Sequence, residues 1–209
     1  IDRVPAVLEA WFSGSEAGNA LADVVFGAVN PSGKLPFTFP VRLEDNGAHA
    51  LGEYPGSDKV KYNESIFVGY RWHDKEQLKP LFAFGHGLSY TAFAVGNVKA
   101  DRTTLAPNGS IRISADVTNT GDRAGAEVVQ LYIGDEQSSL PRPVKELKGF
   151  QKVSLNPGQT RTVTFEITPG MLQYYDDAKG AWVAEPGAFT AYVGAASDDI
   201  RGTVEFELK

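Results

Sequence analysis

Short segments in which apolar and polar residues alternate fill the second half of the chain. The pattern is clearest in four segments: Ile111–Val117, Val163–Ile167, Phe189–Val193 and Val204–Leu208. Turn sequences such as Asn156-Pro157-Gly158 separate them. Short alternating strands at this spacing are typical of a β-sandwich. Because the chain has no cysteine, the pattern favours a sandwich of the fibronectin type III kind, over residues 95–209, rather than a disulfide-linked antibody domain.

The opening segment has a different pattern, typical of an α/β unit. Val4–Phe12 is predicted to be a short buried strand, and a Gly/Ser turn follows it. We expect a helix over Glu16–Phe26, capped by Ser15 and ended by Gly27. A strand and one helix cannot cover both faces of the strand. Residues 1–45 are therefore predicted to be the C-terminal end of an α/β domain whose remainder lies on a preceding segment, and the start at Ile1 without Met agrees with a fragment.

Residues 46–94 are predicted to be an extended connector between the two parts. Within it, Val60–Phe93 is rich in aromatic residues and glycine. We predict a strand over Ile66–Arg71, apolar on both faces, which ends at Trp72-His73-Asp74. Gly85-His86-Gly87 permits a sharp bend. The fold class expected for the whole chain is mainly β, a sandwich preceded by a strand and helix remnant and a connector.

Charge and composition exclude several classes of partner. The formal net charge of −6 and the absence of any Lys/Arg run argue against a nucleic acid or an anionic membrane surface. No apolar run approaches the ~20 residues of a membrane span. The three histidines lack the spacing of a zinc site, and no phosphate loop is present. We expect no metal and no cofactor.

Candidate chemistry in the connector is sparse. Glu64 and Asp74 could act as a carboxylate pair in glycosidic acid–base chemistry, but an ion pair between Arg71 and a carboxylate, which fixes the connector, explains these residues better. Glu16 is better explained by the helix dipole than by ligand binding. Trp72 is the one residue that we single out as a substrate contact, at an outer sugar subsite, with core packing as the alternative. No residue of this chain is predicted to be catalytic.

Three stretches resemble glycoside hydrolase family 3. Ala10–Pro40, AWFSGSEAGNALADVVFGAVNPSGKLPFTFP, is similar to the end of that family's α/β sandwich domain. Tyr62–Trp72 and Leu81–Phe93 resemble the segment that precedes its fibronectin type III-like domain, and Val117–Asp135 with Leu147–Ile167 resembles that domain itself. The ordered combination is specific and covers nearly the whole chain. Ser65, where the family often has Gly, and Ala83, where Pro is common, are small departures.

The resemblance implies the C-terminal portion of a retaining, exo-acting β-glycosidase, and we favour a β-glucosidase that hydrolyses terminal non-reducing β-D-glucosyl residues. Its Asp nucleophile would lie in an N-terminal barrel and its Glu acid/base in the α/β sandwich domain, both upstream of this chain. The implied partners are that upstream portion and a β-linked oligosaccharide or glucoside. A β-xylosidase or other exo-glycosidase of the family, and a non-catalytic carbohydrate-binding or spacer module, remain alternatives. A periplasmic or secreted location is expected, with a cytoplasmic one as the alternative.

Overall fold

A computed structural model describes Ile1 and residues 3–209, and in it the chain is mainly β, as predicted. Helices are short: α1 spans Ala17–Val25, α2 Gly47–Ala50 and α3 Tyr70–Lys75, with single 3₁₀ turns at Leu43–Asp45 and Pro169–Leu172. The strands, in chain order, are β1 Phe93–Ala100, β2 Thr104–Leu105, β3 Ile111–Asn119, β4 Gly125–Asp135, β5 Glu146–Leu155, β6 Thr160–Ile167, β7 Tyr174–Asp176, β8 Ala181–Val183, β9 Gly187–Ala196 and β10 Asp199–Leu208.

The strands form the predicted sandwich. One sheet has the order β1-β3-β6 and the other β2-β10-β9-β4-β5, while β7 and β8 form a separate hairpin. All pairs are antiparallel except β2 with β10. Apolar residues alternate inward along β3 and β6, so that Ile113 lies opposite Phe165 and Ala115 opposite Val163. The largest fully buried side chains are Tyr132, Phe189, Leu105, Ile111, Ile113, Leu131, Leu155, Ile167, Leu172, Val117, Val129 and Val163.

The strand predicted over Val4–Phe12 is wrong for this chain. These residues form no strand and are exposed, because a strand needs a neighbour to satisfy its backbone groups, and none of the described residues pairs with them. Helix α1 begins at Ala17, with Glu16 rather than Ser15 at the N-cap position, and no side chain caps it. Gly27 follows the helix at a φ of +77°, as its predicted role as helix terminator requires. No residue of α1 is buried.

The strand predicted over Ile66–Arg71 is also wrong. Gly69, at a φ of +58°, turns the chain into α3, which includes Tyr70, Trp72 and His73. In α3 the backbone pairs with itself, whereas a strand here would have needed a neighbouring strand. Ile66 and Val68 remain exposed. The alternation of apolar residues in this segment therefore reflected a turn followed by a helix rather than a sheet.

The segments before and after α3 pair with each other. Residues 35–39 run extended beside residues 81–86, with Phe39 bridged to Phe82. The connector also contains α2, near its start. None of the helices formed by the described residues is long and apolar enough to cross a membrane.

Candidate functional site: the junction between the connector and the sandwich

A cluster of ion pairs joins α3 to the chain around the start of β5. Lys145 Nζ lies 2.6 Å from Asp74 Oδ2, and Arg71 Nη2 lies 3.2 Å from Glu146 Oε1. Arg142 donates one hydrogen bond to Glu146, at 2.6 Å, and another to Asp135 at the end of β4, at 2.9 Å. The side chains of Lys145, Arg142 and Asp135 are almost fully buried. Loss of one partner from a buried pair leaves an uncompensated charge and is strongly destabilising.

The electrostatics of Glu146 reflect this cluster. Burial raises the pKa of its carboxyl, but the hydrogen bond from Arg142 and the charges of Lys148, Arg142 and Arg71 outweigh burial, and the net effect is a lowered pKa. Burial in turn lowers the pKa of Lys148, with Glu146 acting in the opposite direction. Glu146 is thus held as a carboxylate that binds cationic side chains, and this is the state that a structural anchor requires.

Aromatic rings extend the same contact. Tyr70 stacks on Phe84 at 5.0 Å between ring centroids and meets Tyr132 edge-on at 5.7 Å. Its hydroxyl accepts a hydrogen bond from the backbone N–H of Leu147 at 2.9 Å. Tyr132 is fully buried, and burial raises the pKa of its hydroxyl. Tyr70 of the connector is therefore fixed by its ring contacts with Phe84 and Tyr132 and by the hydrogen bond from Leu147 on β5.

The predicted bend at Gly85 also lies in this junction. Gly85 has a φ of +82°, and its carbonyl accepts a hydrogen bond from Gln130 Nε2 at 3.2 Å. Gln130 also donates to Ala195 O at 2.6 Å. A Cβ on Gly85 would overlap the carboxamide of Gln130. Only glycine satisfies both the backbone conformation and this close approach.

A second junction fixes the C-terminal end of α1 to the sandwich. Tyr90 donates its hydroxyl hydrogen to Val24 O at 2.8 Å, and Arg123 Nη2 donates to Gly27 O at 2.9 Å. Asn30 donates to Ala124 O at 3.0 Å. The first two bonds reach carbonyl groups in and just beyond the last turn of α1, and the third joins Asn30 to the turn before β4.

Lys34 anchors the segment that follows. Its ammonium group lies 2.6 Å from Glu127 Oε1 on β4 and donates to Gly87 O at 2.8 Å. Both side chains of this pair are nearly buried. Residues 30–34, within the Ala10–Pro40 stretch that resembles the family, therefore supply contacts to the sandwich through Asn30 and Lys34.

The carboxylates considered from sequence have different surroundings in the structure. Arg71 and Asp74 each pair with a residue of the sandwich side, so Arg71 does fix the connector, but through Glu146, which sequence reasoning missed. Glu64 is buried, and its Oε2 has no partner. Glu16 is exposed and accepts a hydrogen bond from Asn19 at 2.6 Å. The opposite charges of Glu146 and Arg71, and of Lys145 and Asp74, were the only sequence signal for these pairs. No local pattern shows that residues so far apart in the chain are in contact.

Trp72 has the surroundings of a packed side chain. It is 5% exposed, its ring lies against Gly47, and the ammonium of Lys75 is 5.1 Å from the ring centroid. The contact with an outer sugar subsite stays a prediction that none of these contacts tests.

A cavity of about 270 Å³ opens beside α3, lined by Tyr70, His73, Asp74, Ser197 and others. Its polar groups do not form a catalytic set. Asp74 is engaged by Lys145. Burial lowers the pKa of His73, and both of its ring nitrogens are enclosed without a partner. Among the described residues, no group of three or more potential ligands could hold a metal ion.

Two family models match the chain. The Glycosyl hydrolase family 3 C-terminal domain matches residues 1–90, and the Fibronectin type III-like domain matches residues 127–197. The first strand of the sandwich begins at Phe93, between the two matched ranges. The domain boundaries at residues 45 and 94 stay predictions.

Curated relatives match over nearly the whole chain. A β-glucosidase of Bacteroides ovatus, Beta-glucosidase BoGH3A, is 52% identical over 99% of this chain. Thermostable beta-glucosidase B of Acetivibrio thermocellus is 49% identical over 96%. The chain spans 28% and 26% of the lengths of these two relatives.

Solved structures agree. The GH3 β-glucosidase of Bifidobacterium adolescentis superposes with a TM-score of 0.89 at 38% identity, over 96% of this chain and 29% of that one. The β-glucosidase of Kluyveromyces marxianus in complex with glucose gives 0.85 at 43% identity, over 94% and 23%. The chain belongs to glycoside hydrolase family 3, and it corresponds to the family's C-terminal portion, in which the end of the α/β sandwich domain is followed by a fibronectin type III-like domain.

Proposed function

We propose that this chain is the C-terminal part of a retaining, exo-acting β-glucosidase and that it completes and braces the domains in which catalysis occurs. The observation that carries the proposal is the similarity of the whole chain to proteins named β-glucosidase, at 52% and 49% identity. The substrate would be a β-linked oligosaccharide or glucoside with a terminal non-reducing β-D-glucosyl residue. The catalytic carboxylates would lie upstream, at the separation of about 5–5.5 Å that retention of configuration requires.

The bracing role rests on the two junctions and on what α1 leaves uncovered. Leu21, Val25 and Phe26 are exposed on or next to α1, and Trp11 and Phe12 are exposed in the segment before it. Several large apolar side chains exposed within one short stretch of chain are typical of a surface that another segment covers. The partner that we propose is the upstream portion of the same enzyme, which would cover α1 and the segment before it. The ion pairs of α3 then fix the sandwich to that assembly.

The test uses the complete enzyme, the upstream portion alone, and the upstream portion mixed with this chain, each assayed on aryl β-glucosides and aryl β-xylosides. We expect the complete enzyme to prefer the glucoside, the upstream portion to be unstable and weakly active, and addition of this chain to restore activity. A stable and fully active upstream portion would show that the bracing role is wrong. Preference for the aryl β-xyloside would show that the proposed specificity for β-D-glucosyl residues is wrong.

A further inference from the structure

The β7–β8 hairpin displays two aromatic rings to solvent. Tyr175 and Trp182 lie directly opposite each other in the hairpin. Their rings meet edge-to-face, with centroids 5.6 Å apart and planes at 70°. Tyr175 is 50% exposed and Trp182 is 64% exposed. Rings so exposed contribute little to folding by burial, so their presence calls for another explanation.

The hairpin is held in place by other residues. Its turn is organised by Asp176, which is buried and whose Oδ1 accepts hydrogen bonds from the N–H groups of Ala178 at 3.0 Å and Lys179 at 3.2 Å. On the inner side, the guanidinium of Arg142 lies 5.4 Å from the centroid of the Tyr174 ring. Arg142 is itself part of the buried ion-pair cluster. The two outer rings are thus presented on a support that does not depend on them.

The charges around the rings favour a neutral ligand. Lys179 is paired with Asp176 at 2.9 Å, and Glu185 accepts hydrogen bonds from Ser139. Asp177, two residues after Tyr175 in the chain, is exposed, and its carboxylate can accept hydrogen bonds from hydroxyl groups. A second copy of the chain is disfavoured, because each copy carries a net charge of −6. A neutral molecule with apolar faces and many hydroxyl groups fits this surface, and a chain of pyranose rings has both properties.

We propose that Tyr175 and Trp182 form a binding site for a β-linked glucan chain. The inference rests on the proposed function, which makes β-glucosyl chains the substrate class that this enzyme meets. The edge-to-face arrangement forms a corner rather than a flat platform. One sugar ring stacks on the exposed face of one aromatic ring, while the second ring limits sliding along the chain. The site retains polymeric substrate near the enzyme and takes no part in bond cleavage.

The experiment compares the complete enzyme with Trp182→Ala and Tyr175→Ala variants. Retardation in native gels that contain soluble mixed-linkage β-glucan, with dextran gels as reference, measures affinity for the polymer. The matched control is Phe150→Ala, since Phe150 is 68% exposed on β5, which belongs to the five-stranded sheet and not to the hairpin. We expect each hairpin variant to bind β-glucan about tenfold more weakly, or worse, and the control to bind normally. Hydrolysis of an aryl β-glucoside should be unchanged in all three variants.

Each contrary outcome has a distinct meaning. Absence of β-glucan retardation in the unmodified enzyme, or equal retardation of the Trp182→Ala variant, overturns the site while leaving the proposed function intact. A fall in thermal stability of the Trp182→Ala enzyme with unchanged affinity for β-glucan would mean that the rings contact another part of the enzyme. That result also overturns the proposed site. A change of oligomeric state in that variant assigns them to a contact between copies. A lack of aryl β-glucosidase activity in the unmodified enzyme refutes the proposed function instead.

Discussion

Ser65 adopts a backbone conformation that disfavours a side chain. Its φ is +54°, in the left-handed region, and the residue is exposed. In that region a residue with a Cβ is strained by about 1–2 kcal/mol, and glycine is not. We therefore expect Ser65→Gly to raise the free energy of unfolding by up to about 1 kcal/mol, because the greater flexibility of glycine in the unfolded chain offsets part of the gain. Urea denaturation of the two proteins measures the difference.

The matched control is Ser57→Gly, at an exposed loop position where φ is not positive. That variant should be unchanged or slightly less stable, since glycine there relieves no strain. Equal shifts in the two variants would contradict the argument. The sequence alone marked Ser65 as a departure from the family's usual glycine, but it could not show whether the backbone had changed with the residue. The structure shows that Ser65 adopts a backbone conformation that glycine favours.

Helix α3 depends on the sandwich side for its position, and the pair between Asp74 and Lys145 is its most buried link. Lys145→Met removes the cation and leaves Asp74 without its partner at 2.6 Å. We expect the variant to lose about 3 kcal/mol of unfolding free energy. Adding Asp74→Leu should recover part of that loss, because the orphaned carboxylate is then removed. A double-mutant cycle by chemical denaturation measures both effects.

The control for this element is Lys209→Met, which breaks an exposed pair with Glu207 that has the same N–O distance of 2.6 Å. Exposed pairs contribute at most about 1 kcal/mol, so that variant should differ little from the original protein. Similar losses at Lys145 and Lys209 would mean that burial does not govern the strength of these pairs.

Elements could be predicted where the pattern is local and the partner lies within the chain. The alternation along Ile111–Val117 predicted β3 because one face of that strand meets the core of the same sandwich. The alternation over Ile66–Arg71 misled, because Gly69 turns the backbone into a helix. The junction itself escaped prediction, since no local pattern joins Asp74 to Lys145, many residues further along the chain. The types of side chain identified Arg71 and Asp74 as candidates for ion pairs, but which residues they pair with depends on the fold.

At the scale of the whole chain, the sandwich and the opening segment with α1 differ in how much of their apolar surface this chain itself buries. The sandwich has a closed core, whereas α1 has no buried residue and the segment before it forms no strand pairing with any residue that the structure describes. Local stability follows burial and hydrogen bonding. Residues 4–26 should therefore unfold locally with little cost in the isolated chain, although Tyr90 and Arg123 form hydrogen bonds to the C-terminal end of α1 and to Gly27.

Hydrogen exchange measured by mass spectrometry tests this difference directly. In the isolated chain, we expect amides of residues 4–26 to exchange at least about a hundredfold faster than those of β3, because opening them exposes almost no apolar surface that is not exposed already. In the complete enzyme that we propose, residues 4–26 should become protected, while β3 should change little. The β5 amides provide an internal reference, since they pair with β4 within this chain. Strong protection of residues 4–26 in the isolated chain would show that the chain covers its own apolar face, and the need for an upstream partner would disappear.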